Sequence, residues 1–128
     1  MKEEYHQTQF VTVLEGASVP GHFFIVTAHN PCGQIVSDRK NAENNALLLE
    51  KIRNSMWPCF PVTGQCEDHA EAGFGVICSR AEAIALGKNF RQDAIYEIRD
   101  DQVILVDCKE TEADEIVGIW SKLQAPSS

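Results

Sequence analysis

Apolar residues cluster in several short segments of the chain, and turn-forming residues separate these segments. The segments are rich in β-branched and aromatic residues, a composition that favours strands. Five strands are therefore predicted: 8–14, 22–28, 73–78, 94–99 and 102–107. The last two flank Asp100 and Asp101 and are predicted to form a hairpin.

An apolar stripe with helical spacing follows the second predicted strand. Ser37 is a suitable N-cap, and a helix with Leu48 on its apolar side is expected to run from it to about Asn54. Asn44 and Asn45 weaken the middle of this helix, because asparagine has a low helix propensity.

Two more helices are predicted towards the end of the chain. Ser79 and Glu82 form a capping-box pattern before a helix that ends near Gly87. A last helix is predicted after Thr111, because acidic residues stand at its positive end and three apolar residues recur at helical spacing: Ile116, Trp120 and Leu123.

Residues 57–72 contain Pro58, Pro61 and Gly64, and are predicted to form a long ordered loop. The resulting order of elements, β-β-α-β-α-β-β-α, mixes hairpins with helical crossovers and predicts an α+β fold. We expect one compact domain over residues 1–128, with a largely antiparallel sheet of about five strands packed by about three helices. The tail is expected to fray from about residue 124.

The net charge and the hydropathy of the chain disfavour two classes of binding partner, nucleic acids and membranes. The 128-residue chain is 44% apolar and carries 19 acidic and 11 basic residues, a formal net charge of −8. A field of this sign repels phosphate backbones and anionic lipids, so neither nucleic acid nor a membrane surface is an expected partner. The chain has no apolar run long enough to span a membrane and no signal-peptide core, which predicts a cytoplasmic protein.

The five cysteines are irregularly spaced, and without an export signal they are predicted to be reduced thiols with no intramolecular disulfide. A zinc site would recruit Cys59, Cys66 and His69. Structural zinc normally shows two close ligand pairs, and here the pair Cys66–His69 stands alone, so no metal site is predicted. No cofactor is predicted either.

Two further groups of residues have chemical potential. His29 and Cys32 could form a thiolate pair, but no third, orienting residue is identifiable. Glu67, Asp68 and Glu71 could bind a metal or perform acid–base chemistry, or could simply form a solvated acidic loop. Glu71 differs from the other two because apolar residues flank it, so its carboxylate is expected to be partly desolvated and to need a partner. No phosphate-binding loop or hydrolase motif occurs, so the residues do not identify a reaction.

The most informative stretch is Thr27-Ala28-His29-Asn30-Pro31, where an apolar strand leads into a polar cluster and a proline turn. Strand ends of this kind favour ligand sites, because the scaffold fixes them in place. Asn30 could instead cap the turn through its own side chain. Further along, Arg91 or Gln92 could point into a cleft or satisfy backbone groups where a strand begins.

These pieces together resemble a family of small bacterial proteins that is known only as a domain of unknown function. The likeness runs from about residue 5 to about residue 107 and rests on these residues: Tyr5, Thr8, Thr27–Pro31, Asn41, Gly64, Glu71, Leu86–Gly87 and Phe90-x-Gln92-x-Ala94-Ile95. His29 and His69 stand where the family tends to carry aromatic residues, which would make a ligand site more polar and sensitive to pH. The resemblance implies that Thr27, Asn30, Asn41, Glu71 and Gln92 belong to one feature.

Two functions are compatible with this sequence. The domain could bind a small polar ligand, nucleoside-like or sugar-like, in a pocket around the turn at 27–31. The ligand-binding residues would be Thr27, His29, Asn30, Asn41, Glu71 and Gln92, because amides and one carboxylate suit a neutral polar molecule. Alternatively, the domain is an acidic interaction module for a basic protein, and the polar motif is only an internal staple. In either case Asn30, Glu71 and Gln92 are predicted to converge, with Thr27, His29 and Asn41 around them.

Overall fold

The computed structural model describes residues 9–12, 20–30, 34–66 and 69–123, apart from the side chains of Cys66 and His69. Seven strands and three helices lie within these ranges. They are β1 (Gln9–Thr12), β2 (His22–Val26), α1 (Asp38–Asn54), β3 (Cys59–Cys66), β4 (His69–Val76), α2 (Arg80–Asn89), β5 (Ala94–Arg99), β6 (Gln102–Asp107), β7 (Glu115–Ile119) and α3 (Trp120–Leu123).

The strands form one curled sheet in the order β1-β3-β4-β2-β5-β6-β7, and all neighbouring strands are antiparallel. The predicted α+β class with a largely antiparallel sheet is thus confirmed. The described sheet has seven strands rather than about five, because β3 and β7 were not predicted.

The prediction of a long loop over residues 57–72 is wrong, because most of this segment forms the hairpin of β3 and β4. Pro61, which lacks an N–H, stands within β3 opposite Phe74 of β4. Pro61 still contributes its carbonyl oxygen, which accepts a hydrogen bond of 3.3 Å from the Thr12 hydroxyl.

The predicted last helix is also wrong over most of its length. Residues 115–119 form β7, and the helix is reduced to the single turn of α3. The sequence here is rich in β-branched residues, which suit a strand, and β6 offers an edge on which it can pair. Gly118 allows the chain to turn back, since a Cβ atom there would collide with the side chain of Leu123.

Successive residues of β2 point to opposite faces of the sheet, and each face carries its own apolar core. Phe24 and Val26 pack with α1 and α2 on one face, whereas Phe23 and Ile25 pack on the other. On the second face the ring of Phe10 in β1 lies 5.4 Å from that of Trp120 in α3. This contact joins the first described strand to the last helix across the hollow of the curled sheet.

Cys59, Cys78 and Cys108 are free thiols. The prediction of no disulfide is confirmed for these three cysteines, while Cys32 and the side chain of Cys66 lie outside the described residues. Burial raises the pKa of both Cys78 and Cys108 to about 11, so neither is a thiolate at neutral pH. In the described part of the chain, no helix is both long enough and apolar enough to cross a membrane.

Candidate functional site

β2 and β4 separate at one end of the sheet, and we call the opening between them the fork. Their last paired residues are Val26 and Phe74. Continuing the same register would place Ala28 opposite Ala72, but the backbone pairing of the two strands does not extend that far. Gly73 lets the strands lie close at the start of the fork, because a Cβ atom at this position would lie 2.6 Å from the carbonyl oxygen of Val26.

Asn45 of α1 fills the gap between the separated strands. Its Oδ1 accepts a hydrogen bond of 2.9 Å from the N–H of Ala28, and its Nδ2 donates one of 3.1 Å to the carbonyl oxygen of Ala72. The same carbonyl oxygen accepts a 2.6 Å bond from the hydroxyl of Thr27. The side-chain amide of Asn45 therefore takes the place of a direct backbone bond and holds the fork open by its own width.

Asn30 and Asn41 form a reciprocal pair beyond the end of β2. The N–H of Asn30 donates to Oδ1 of Asn41 at 2.8 Å, and Nδ2 of Asn41 donates to Oδ1 of Asn30 at 3.0 Å. Oδ1 of Asn30 also accepts from the N–H of Val36 at 3.3 Å. Asn30 has φ 46°, a left-handed conformation that asparagine tolerates better than most residues. The pair fixes the turn against the start of α1.

The imidazole of His29 completes the bonding of Asn41. Nε2 of His29 lies 3.1 Å from Nδ2 of Asn41. Because Asn41 uses Oδ1 to accept from Asn30, the atom facing the imidazole must be the donor nitrogen. Nε2 of His29 is therefore the acceptor of this hydrogen bond.

Gln92 reaches the same turn from the end of α2. The N–H of Gln92 bonds the carbonyl oxygen of Gly87 at 2.9 Å, and Arg91 has φ 58°, which together end the helix in a Schellman motif. Nε2 of Gln92 then donates to the carbonyl oxygens of His29 and Phe90, each at 3.2 Å. Gly87 is needed because a Cβ atom there would lie 2.7 Å from the sulfur of Cys108.

Hydrogen bonds thus join five of the six predicted site residues into one network, together with Asn45. The five are Thr27, His29, Asn30, Asn41 and Gln92. Glu71 precedes Ala72 on β4 and is half-buried, and the extended register would set it opposite His29. Its convergence with Asn30 and Gln92 stays a prediction.

Sequence reasoning missed Asn45. The signal was present, because Asn41 and Asn45 are four residues apart and so share one face of α1. An asparagine pair at this spacing in a helix of otherwise ordinary composition indicates a helix face that meets backbone rather than solvent.

A second polar cluster, which we call the ionic cluster, lies at the other end of β2. The side chain of Glu97 is only 3% exposed, and each of its oxygens has one partner: His22 Nε2 at 2.7 Å and Arg80 Nη1 at 3.1 Å. Nη2 of Arg80 bonds Asp114 at 2.6 Å. Sequence reasoning missed this cluster too, although a glutamate among the apolar residues of a predicted strand implies a buried carboxylate with a cationic partner.

Asp107, at the end of β6, is a buried carboxylate held by neutral donors. It accepts hydrogen bonds from the hydroxyl of Thr111 and from the N–H groups of Lys109, Thr111 and Glu112, at 2.8 to 3.1 Å. Led by the bond from the Thr111 hydroxyl, these bonds lower the pKa of Asp107 to about 2. They fix the loop that leads into β7.

Among the described residues, no group of three or more His, Cys, Asp or Glu side chains is placed to hold a metal ion. The side chains of Cys66 and His69, which a zinc site would have recruited, and those of Glu67 and Asp68 lie outside the described part. A family model described as a protein of unknown function, DUF3293, matches residues 26–95. No curated protein and no solved structure matches the chain.

Proposed function

The chain belongs to the DUF3293 family of proteins of unknown function, and from that premise we propose that the domain binds a small polar ligand at the mouth of the fork. The observation that carries the proposal is the brace of Asn45, which keeps β2 and β4 apart where they would otherwise pair. The brace sets the polar turn after β2 at an open strand end, which is a common place for ligand sites.

The residues around the fork suit a neutral, hydrogen-bonding molecule. His29 offers an imidazole ring, Asn30 and Gln92 are amides, and Glu71 adds one half-buried carboxylate. A phosphate would meet no cation in this network and would be repelled by a chain of net charge −8. A nucleoside-like or sugar-like ligand fits these groups best. All of the proposed ligand-binding residues lie within the matched residues 26–95.

The proposal is tested by thermal shift with a panel of nucleosides, sugars and neutral metabolites, because a ligand that binds the folded state raises the melting temperature. Glu71→Ala is expected to keep near-native stability and to lose the ligand-induced shift. Glu50→Ala, at an exposed position on α1, is the control and should retain the shift. A panel in which no compound moves the melting temperature contradicts the proposal.

One observation favours the second candidate, an acidic interaction module that the polar network only staples. Both amide atoms of the buried Asn41 are fully used within the chain. In this case Glu71→Ala leaves buried donors unpaired and destabilises the domain by about 1–3 kcal/mol. Chemical denaturation of this one variant therefore separates the two candidates, and binding of a basic protein would support the second.

A further inference from the structure

Residues 115–123, which form β7 and α3, are held to the rest of the domain by few buried contacts, and we call them the strap. None of the five residues of β7 is buried, whereas five of the six residues of its partner strand β6 are buried. Ile116 and Ile119 of β7 are 61% and 41% exposed. Pairing with β6 therefore brings the strap little apolar burial.

The backbone pairing of β7 with β6 is interrupted in its middle. Gly118 stands opposite Val103 and Ile116 opposite Ile104, so that Val117 lies between them as the extra residue of a β-bulge. A bulge disrupts the hydrogen-bond ladder locally. The ladder that holds the strap is therefore divided into two short pieces.

Trp120 is the buried anchor of the strap. Its ring lies 5.4 Å from that of Phe10 and 5.4 Å from that of Phe23, and the other described residues of the strap are half-buried or exposed. Val117 and Leu123 pack only partly against the same cluster. Most of the apolar burial of the strap is thus concentrated in one side chain.

Asp101, in the turn between β5 and β6, supplies the polar contact that holds the end of the strap. Its carbonyl oxygen accepts a hydrogen bond of 2.7 Å from the N–H of Trp120. Its Oδ1 accepts from the N–H of Ser121 at 2.9 Å, and its Oδ2 accepts from the hydroxyl of Ser121 at 2.8 Å. Because Asp101 and Ser121 are both exposed, water can replace these side-chain bonds at little cost.

The loop before the strap is held much more firmly. The consecutive N–H groups of residues 108–112 all donate hydrogen bonds within the chain, three of them to the carboxylate of Asp107. Asp114, next to the strap, bonds Arg80 at 2.6 Å. A segment with few buried contacts opens at a lower free energy than its well-bonded neighbour, so the boundary between the two lies after Asp114.

We infer that the strap opens as one unit within the folded domain, and that Trp120 and Asp101 together hold it closed. Opening uncovers the edge of β6 and the rings of Phe10 and Phe23, each of which is only 1% exposed when the strap is closed. A buried aromatic surface thereby becomes accessible while the loop of Asp107 stays in place. The contacts that carry this inference do not involve the fork, so it is independent of the proposed function.

Hydrogen exchange of the full chain under native conditions, followed by mass spectrometry of its peptides, measures the opening. We expect the amides of the strap to exchange at least about tenfold faster than those of β5 and of the loop at 108–112. Exchange of the strap as slow as that of β5 would mean that it does not open separately, and would overturn the inference.

Asp101→Gly tests the contact that holds the strap closed. Asp101 has φ 66°, a conformation that glycine favours, so the substitution keeps the hairpin turn and removes both side-chain bonds to Ser121. We expect exchange in the strap to accelerate at least about fivefold, with exchange in β5 unchanged.

Asp100→Gly is the matched control for this variant. Asp100 occupies the neighbouring left-handed position of the same turn, at φ 51°, and among the described residues its side chain does not bond the strap. This variant should change exchange in the strap by less than about twofold. An Asp101→Gly protein in which exchange accelerates equally throughout the domain, or not at all in the strap, overturns the inference.

Discussion

The two ends of β2 satisfy buried polar groups in opposite ways. At the start of the strand, the ionic cluster pairs the buried carboxylate of Glu97 with two basic side chains, His22 and Arg80. Beyond its end, the fork is built from neutral amides of three asparagines and a glutamine. Helix α2 contributes to both polar groups, since its first residue, Arg80, belongs to the ionic cluster and Gln92, which follows its last turn, belongs to the fork.

The difference between the two ends separates a structural device from a candidate site. A carboxylate whose two oxygens are each bonded by a basic side chain has little left to offer a ligand. An amide carries both a donor and an acceptor, so the half-buried amides of Asn30 and Gln92 have more hydrogen-bonding capacity than a paired carboxylate. Burial of polar groups therefore does not by itself indicate function.

The largest effect is expected from breaking the ionic cluster. Arg80→Met should lower the free energy of unfolding by about 2–3 kcal/mol, because Glu97 stays buried with only His22 beside it. The estimate lies below that for a fully buried pair because the Arg80 side chain is 44% exposed. Urea denaturation measures the loss.

An exposed ion pair on α1 provides the control for this variant. Arg39 bonds Glu43 at 3.3 Å with its own side chain 91% exposed, so Arg39→Met should cost less than about 0.5 kcal/mol. High salt should reduce the loss in Arg80→Met and leave variants of the fork unaffected. Equal losses for the two arginine variants would show that the burial of Glu97 does not matter.

Breaking the amide network should cost somewhat less. Asn41→Ala removes three hydrogen bonds and leaves the N–H of Asn30 without its partner, for an expected loss of about 2 kcal/mol. Asn54→Ala, at an exposed position of the same helix, should change stability by less than about 0.5 kcal/mol. A loss in Asn41→Ala that depends strongly on salt would contradict the neutral character assigned to the fork.

Asp107 is a buried carboxylate like Glu97, but all the donors that bind it are neutral. Its pKa is lowered from 3.8 to about 2, so its contribution to stability is fully present above about pH 4 and is lost as the pH falls towards 2. Asp107→Asn should be about 1–2 kcal/mol less stable than the wild type at neutral pH.

Denaturation as a function of pH checks this prediction. The deficit of Asp107→Asn should shrink steadily between about pH 4 and pH 2. Thr111→Val removes the hydroxyl donor and keeps the backbone donors, so its deficit should be smaller and should follow the same pH window. A deficit that persists unchanged at pH 2 would mean that the charge of Asp107 is not involved.

The smallest change in stability is expected from replacing Arg91, and this variant tests whether a positive charge contributes to ligand binding at the fork. Arg91 lies next to Gln92 in a left-handed conformation at φ 58°, where glycine is favoured. Arg91→Gly should therefore stabilise the domain by up to about 1 kcal/mol and leave ligand binding unchanged. Arg99→Gly, at the end of β5, should instead destabilise it slightly. Weaker ligand binding in Arg91→Gly would assign a cation to the site.

The parts of the fold that depend on local pattern could be predicted from the sequence. The hairpin of β5 and β6 was predicted with both of its ranges, because Asp100 and Asp101 form a two-residue turn with φ 51° and 66° between two apolar segments. The start of α1 at Ser37 and the capping box of Ser79 and Glu82 were likewise confirmed.

Features that depend on a distant neighbour could not be predicted in this way. Asn45 weakens a helix when α1 is considered alone, and its role exists only because Ala28 and Ala72 lie on either side of it. β7 has the apolar spacing of a helix, but the exposed edge of β6 decides its conformation. Five of the six predicted site residues nevertheless lie in one hydrogen-bonded network, since they surround one strand end, and their role in ligand binding stays a prediction.

The position of β2 in the sheet has a consequence for how the domain folds. Among the described strands, β2 alone is bonded to both halves of the sheet, β4 on one side and β5 on the other. The hairpins of β3 with β4 and β5 with β6 close over short loops and can form early, whereas β2 must wait for both and close two long loops. We therefore expect folding to end with the docking of β2, so that substitutions along this strand speed unfolding more than they slow folding.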